Sequence, residues 1–386
     1  MCGGLPIFQN WSKMVKMYTE KDLVAVAKRE NNTKRKYLVV NRLQGKHIPV
    51  DPRKSLAMFA ELAKQVKTEY AEEKILLVGF AETATAIGSA IAAEIGARYI
   101  QTTRENIPDA EYLFFSEQHS HATEQKLVKN DIDKVMNDID RIVFVEDEVT
   151  TGNTILNIIN IIEKLYTARV KFSVAALING MDEVSAKVYT ERGISVHYLV
   201  KTRNSDYDEV ADKYEINGDY VSADTNKSHI KTETIICGGY VNARRLTDGN
   251  AYRQACETLY RQISKLDLCG NILVLGTEET MYPAMYVGAR LADNGCIVKN
   301  HATTRSPIAV SKDEGYPLHT RYTLKSLYDE ERITFIYNIG KYDAVLLVTD
   351  AESITENAMN TLLNALSTVG NSFVYIFKMT NQEELK

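Results

Sequence analysis

The chain has 386 residues, 45% of them hydrophobic and 25% charged, with a formal net charge of -5. That length suits two domains rather than one, and the mixture is that of a globular protein. The acidic balance gives no general electrostatic attraction to nucleic acid.

The five cysteines, Cys2, Cys237, Cys256, Cys269 and Cys296, form no C-x-x-C pair. A zinc ribbon or thioredoxin-like site therefore has no support, and the set reads as reduced thiols in a cytoplasmic protein. Residues 1–11 lack the basic and apolar regions of a signal peptide. No apolar run approaches the ~20 residues that span a bilayer.

In chain order, Ile75–Val78 is a short apolar run closed by Gly79 and reads as a buried strand. Ala84–Gly96, rich in Ala and Ile, predicts a helix that stops at Gly96. Arg141–Val145 predicts a second buried strand. Thr154–Leu165 predicts a helix whose apolar stripe is Ile155, Ile158, Ile159 and Ile162, and Lys171–Ile178 predicts a third strand. This alternation indicates an α/β fold with a mostly parallel sheet. Between Lys201 and Lys231 polar residues and Tyr dominate, which marks a linker or peripheral excursion and a boundary near residue 230.

Beyond it the pattern restarts. Ile272–Leu275 ends in Gly276, Glu279-Thr280 repeats Glu82-Thr83, and Thr303-Thr304-Arg305 repeats Thr102-Thr103-Arg104. Arg244–Ile263 has the outline of Lys46–Val66, a basic turn before an amphipathic helix. Ala344–Asp350 stands where Ile142–Asp147 stands, and the spans Gly79 to Asp147 and Gly276 to Asp350 are 68 and 74 residues. The expectation is two tandem parallel-sheet domains, the second a degenerate relative of the first. The boundaries predicted are an extension over 1–33, a first domain over 34–200, a linker over 201–231 and a second domain over 232–386.

The segment with the most specific chemistry is Val145-Glu146-Asp147-Glu148-Val149-Thr150-Thr151-Gly152-Asn153-Thr154. A buried strand brings Glu146 and Asp147 to the carboxyl end of a parallel sheet, where ligands bind. Adjacent carboxylates there can accept hydrogen bonds from the hydroxyls of a ribose. The next residues enter a helix, whose first amides and dipole favour an anion. Thr150, Thr151 and Thr154 add hydroxyl donors, and Gly152 permits close backbone approach.

The strand, acid pair and Thr-Thr-Gly-Asn-Thr turn resemble the phosphoribosyl pyrophosphate signature of type I phosphoribosyltransferases. The resemblance implies that Glu146 and Asp147 orient the sugar and that residues from Val149 to Thr154, including Asn153, hold the 5′-phosphate. It also implies that the loop Gly79–Thr83, with Ala81, Glu82 and Thr83, holds pyrophosphate together with Arg104. A plain strand–helix turn capped by Thr83 would leave the same trace. The stretch Pro108–Leu127 matches the family's mobile lid, and His119 and His121 in it are candidate contacts to pyrophosphate or the leaving group. No carboxylate or Cys set stands at a spacing that would make His-x-His a metal site. Val40–Pro49 matches the base-binding hood, with Arg42, Lys46 and His47 as candidates beside the alternative of a surface hairpin.

The whole architecture is similar to the phosphoribosyltransferases of bacterial tellurite-resistance and stress-response clusters that carry a C-terminal TRSP domain. The motif stands here as Thr304-Arg305-Ser306-Pro307, with Leu275–Pro283 and Tyr316-Pro317 in agreement. Thr277, Glu278, Glu279, Tyr282, Thr304, Arg305 and Ser306 are candidates for a second-domain pocket. The second domain has lost the signature, with Thr349-Asp350 and Ser353-Ile-Thr-Glu356 at the matching place.

The resemblance implies transfer of ribose 5-phosphate from phosphoribosyl pyrophosphate to an unidentified nitrogenous base, through an oxocarbenium-like transition state. It implies Mg2+ carried on the substrate's oxygens, with no metal bound directly by the protein. It also implies a cytoplasmic protein, a possible homodimer, and no membrane or nucleic-acid partner. The alternatives are a non-catalytic sensor of the same ligand and a phosphoribosyl pyrophosphate synthase. The synthase carries its signature in the second domain, whereas here it lies in the first.

Overall fold

The computed structural model describes residues 17–30, 35–115, 125–167 and 169–380. The chain divides into two compact units. The first comprises residues 1–20, 56–203 and 241–254, and the second residues 21–55, 204–240 and 255–386.

The first unit is built on five parallel strands, β1 (Ile75–Gly79), β2 (Arg98–Gln101), β3 (Arg141–Val149), β4 (Lys171–Asn179) and β5 (Ser195–Lys201). Their order is β2-β1-β3-β4-β5. Thr247–Asp248 pairs antiparallel with β2 on the outer edge. The crossovers are α1 (Thr85–Ile95) between β1 and β2, α2 (Asn153–Leu165) between β3 and β4, and α3 (Glu183–Glu191) between β4 and β5.

Every residue of β1 is buried, as continuous apolar runs are in sheets covered on both faces. Helix α2 buries Ile155, Ile158, Ile159 and Ile162, the stripe its 3.6-residue period predicts. Each such side chain contributes ~1.5–3 kcal/mol on burial. The strand carrying the acids is longer than its apolar run. It continues to Val149, because its neighbour β4 is equally long and pairs with it as far as Asn179.

The second unit holds five more parallel strands, β6 (Lys231–Cys237), β7 (Asn271–Gly276), β8 (Ile297–Ala302), β9 (Ala344–Thr349) and β10 (Phe373–Met379). They lie in the order β6-β10-β9-β7-β8. Helices α4 (Tyr282–Asp293) and α5 (Glu356–Thr368) connect β7 to β8 and β9 to β10. Aligning β7, β8, β9 and β10 with β1, β2, β3 and β4 reproduces the order of the first sheet. The fifth place differs: β5 follows β4 in the chain, whereas β6 precedes β7.

Val24–Lys28 and Tyr37–Asn41 form an antiparallel pair in this unit. Ala25, Ala27 and Val40 pack with Ile308, Val310, Tyr316, Leu318, Phe335 and Tyr337, which explains why residues 21–55 cluster here. The polar stretch 201–231 contains the helix Tyr207–Asp212 and the strand Asp219–Val221, which pairs with Thr320–Lys325. Among the described residues no helix is long and apolar enough to cross a membrane.

Candidate functional site

In the first unit the acidic segment is the last part of β3. Successive strand residues face opposite sides of the sheet, and the contacts follow that rule. Asp147 accepts a hydrogen bond from the Thr83 side chain, whereas Glu146 lies in electrostatic range of Tyr189 on α3. Burial, then the neighbouring Glu148 carboxylate, pushes the Asp147 carboxyl up to about 6 against the opposing effect of Thr83.

Strand β3 runs through Thr150 and Thr151 into α2. Gly152, the residue preceding the helix, has φ 69° and ψ 9° and, being glycine, brings no capping side chain of its own. The Asn153 amide reaches the Thr151 hydroxyl at 3.4 Å. Thr151 and Asn153 are exposed, and Thr150, Gly152 and Thr154 half-buried. An accessible helix start whose cap residue is glycine is suited to an anion.

Gly152 has a second reason to be glycine. Tyr189, 1% exposed, donates its hydroxyl hydrogen to the Gly152 carbonyl at 2.8 Å. A Cβ on Gly152 would lie 2.2 Å from that hydroxyl.

The loop from Gly79 to Thr83 joins β1 to α1. The Phe80 amide donates to the Val145 carbonyl at 3.0 Å, and the Ala81 amide to the Thr102 hydroxyl at 2.8 Å. The Ala81–Glu82 peptide bond is cis, and Glu82 is buried. Ala84 is the cap residue of α1, and the Thr83 hydroxyl before it donates to Asp147. Gly79 leaves room for Tyr99, whose hydroxyl would be 2.5 Å from an added Cβ.

Arg104, half-buried, follows Thr103, which exchanges backbone bonds with Lys126 at 2.9 and 3.1 Å. It therefore lies at the base of the hairpin Tyr112–Phe115 and Gln125–Val128. These two strands, but for Val128, fall within the stretch Pro108–Leu127 expected to form a lid, and His119 and His121 lie outside the described residues. Among the described residues no group of three or more His, Cys, Asp or Glu is arranged to hold a metal ion.

Three features here leave no local mark in the sequence. Tyr189 is the one buried residue of α3, whose other residues are exposed or half-buried. Gln125 accepts from the Thr102 hydroxyl at 2.8 Å. Residues 241–254 lie in the first unit although they fall within 232–386. The Gln101 amide donates to the Ala243 carbonyl at 2.8 Å. Arg245 forks onto Asp131 at 2.5 and 2.9 Å. The Asp131 carboxyl is held well below the usual range, because the bonds from Arg245 and Lys134 outweigh its burial.

In the second unit the corresponding loop is filled by the chain's own side chains. Thr277 and Thr280 exchange backbone bonds at 3.1 and 2.7 Å, and Glu278 between them has φ 42°. The Glu278 carboxylate, 1% exposed, accepts from Arg305 at 2.6 Å, Ser326 at 2.5 Å and Arg332 at 3.2 Å. Arg305 also reaches Glu279 at 3.3 Å. Lys46, fully buried, donates to the carbonyls of Glu278 and Thr303 at 2.7 and 3.1 Å.

Asp350 accepts from Thr280 and Tyr328, each at 2.5 Å, and from Tyr240. The Thr304 hydroxyl accepts from the Ser306 amide at 3.2 Å. Tyr282 packs edge-on against Tyr286. Helix α5, the counterpart of α2, is capped by Thr355, whose side chain accepts from the Ala358 amide.

The first unit is thus a parallel α/β domain whose central strand carries an acid pair into a helix start led by glycine. Residues 23–204 match the family model described as phosphoribosyl transferase. Residues 244–366 match that of the TRSP domain found C-terminal to it. The two matched stretches stand in the order of a phosphoribosyltransferase domain followed by a TRSP domain.

Solved structures similar to part of the chain include three adenine phosphoribosyltransferases. That of Rhodothermus marinus is 16% identical over 47% of this chain and 96% of its own, with a TM-score of 0.35. That of Giardia lamblia, complexed with 9-deazaadenine, is 16% identical over 47% and 94%, with a TM-score of 0.34. That of Thermoanaerobacter pseudethanolicus is 15% identical over 47% and 97%, also with a TM-score of 0.34. Comparison with curated proteins gives no match.

Proposed function

We propose that the first unit transfers ribose 5-phosphate from phosphoribosyl pyrophosphate to a ring nitrogen of a base, releasing pyrophosphate. The observation that carries the reading is the direct run from Glu146 and Asp147 into the glycine-led start of α2 at Gly152. The 5′-phosphate would take the amides and hydroxyls from Thr150 to Thr154. The two acids face opposite sides of β3, so a ribose meeting both would lie across the strand end. Asp147, already holding Thr83, would tie the sugar to the pyrophosphate loop, and Arg104 would supply the basic contact to pyrophosphate.

The chain's contribution is positioning, charge compensation and exclusion of water from the reacting carbon. Mg2+ would arrive on the substrate's own oxygens, where it would neutralise pyrophosphate charge. The same reading makes the protein a cytoplasmic enzyme of nucleotide-like metabolism.

The test is calorimetric titration with phosphoribosyl pyrophosphate and Mg2+, comparing the wild type with Asp147→Asn. Binding weakened about tenfold or more by that change supports the site, since a hydrogen bond to a charged group contributes ~1.5–3 kcal/mol. Absence of binding to folded wild-type protein overturns the reading. Binding without pyrophosphate release from any nucleobase would identify a sensor instead.

A further inference from the structure

We propose that Cys269 and Cys296 are a thiol pair that closes to a disulfide, a modification site at the start of the second unit's sheet. Strands β7 and β8 begin side by side, with Asn271 opposite Ile297 and the Ile297 amide donating to the Gly270 carbonyl at 3.0 Å. Each cysteine therefore stands just before one of two paired strands, and such strands run ~4.8 Å apart.

The Cys296 Sγ lies 3.4 Å from the Leu268 carbonyl oxygen. A trans peptide puts that oxygen about 2.8 Å from the next Cα, so the sulfur is no more than about 6 Å from the Cα of Cys269. Bridged cysteines have Cα atoms ~4.4–6.8 Å apart, the range expected for residues on neighbouring strand starts, so closure needs the two side chains to turn toward each other and the 266–269 loop to move with them.

The two thiols are also accessible, as exchange requires. Cys269 is exposed and Cys296 partly so, whereas Cys237 and Cys256 are buried. Burial pushes the Cys237 thiol up to about 11 and the Cys256 thiol also upward, which leaves both inert. Burial, and then the nearness of Cys269, raises the Cys296 thiol as well. The exposed Cys269 is accordingly the first nucleophile and Cys296 the resolving thiol.

With glutathione disulfide as oxidant, the Cys269 thiolate attacks one sulfur, the glutathione S–S bond breaks, and one glutathione leaves with the proton Cys269 gave up. Cys296 then loses its proton to water and attacks the Cys269 sulfur, releasing the second glutathione. Two protein thiols are oxidised and one glutathione disulfide is reduced to two glutathiones. The bridge would close the chain around the turn Thr277–Thr280 and α4.

The test is to incubate reduced full-length protein with glutathione disulfide, quench with acid and map tryptic peptides without reduction. Trypsin separates the two cysteines, in Leu266–Arg290 and Leu291–Lys299. The expected product is these peptides joined, in monomeric protein two hydrogens lighter than before. Cys296→Ser should stop at a glutathione adduct on Cys269, and Cys269→Ser should leave Cys296 largely unmodified. A wild-type protein that keeps the adduct on Cys269, joins it to any other cysteine, or forms a disulfide-linked dimer overturns the proposal.

Discussion

Replacing Gly152 by alanine tests whether the phosphate turn is held by Tyr189. The residue sits at φ 69°, which costs an L-residue ~1 kcal/mol. The new methyl would also lie 2.2 Å from the Tyr189 hydroxyl and 2.6 Å from its ring. Tyr189 must then leave, losing a hydrogen bond of ~1 kcal/mol and part of its packing in the way overpacked cores do, at ~1–3 kcal/mol. The sum is ~3–5 kcal/mol, shared between stability and the geometry of the turn. Gly152→Ala should lower the thermal midpoint and weaken phosphoribosyl pyrophosphate binding more than tenfold. Tyr189→Phe, which removes only the hydroxyl, should weaken binding a fewfold. In Gly152→Ala/Tyr189→Ala the methyl has room, so the double variant should bind better than the two single effects multiplied. Unchanged binding in Gly152→Ala, or strict additivity in the cycle, would refute the clash as the organising contact.

Two further outcomes rest on the same geometry. The Asp147 carboxyl, lifted to about 6, loses its charge as pH falls. If only the carboxylate accepts the ribose hydroxyls, affinity should fall about tenfold between pH 7.5 and 5. Titrations of Asp147→Asn over the same range isolate the ligand's own protonation, and an identical slope in both proteins would remove Asp147 from the site. In the second unit, Glu278→Ala would leave Arg305, Arg332 and Ser326 around a missing carboxylate. Breaking a buried ion pair costs ~3–5 kcal/mol, so denaturant unfolding should show a loss of that order, and a loss below ~1 kcal/mol would mean that solvent reaches the arginines.

The first sheet is legible in the sequence because its strands are short apolar runs and each crossover has a helical stripe, as in Ile155, Ile158, Ile159 and Ile162. The signature segment is legible because its chemistry is local: acids, Thr and Gly within ten residues. What escapes is long-range. Tyr189 supports Gly152 from 37 residues downstream, and no pattern around it differs from an ordinary helix. Thr247–Asp248 and Ala243 join β2 from beyond the second unit's first strand. Hydrophobic periodicity assigns a segment to an element but does not say which sheet edge it will extend. The strand carrying Glu146 and Asp147 likewise outruns its apolar residues, since the partner strand β4 dictates where pairing stops.

The two units share a strand order but treat the ligand position in opposite ways. In the first, the residue that leads into the helix after the central strand is an accessible glycine, and Asp147 is tied to the loop by Thr83. In the second, Thr355 caps the helix, Glu278 fills the loop with a carboxylate held by two arginines, and three hydroxyls converge on Asp350. A carboxylate held by arginine where the first unit would hold pyrophosphate satisfies the loop without any ligand. The second unit therefore shares the strand order of the first while its own carboxylate and arginines fill the loop after β7. That distinction is one of polar chemistry at three strand ends, which explains how similar sheets can carry such different loops.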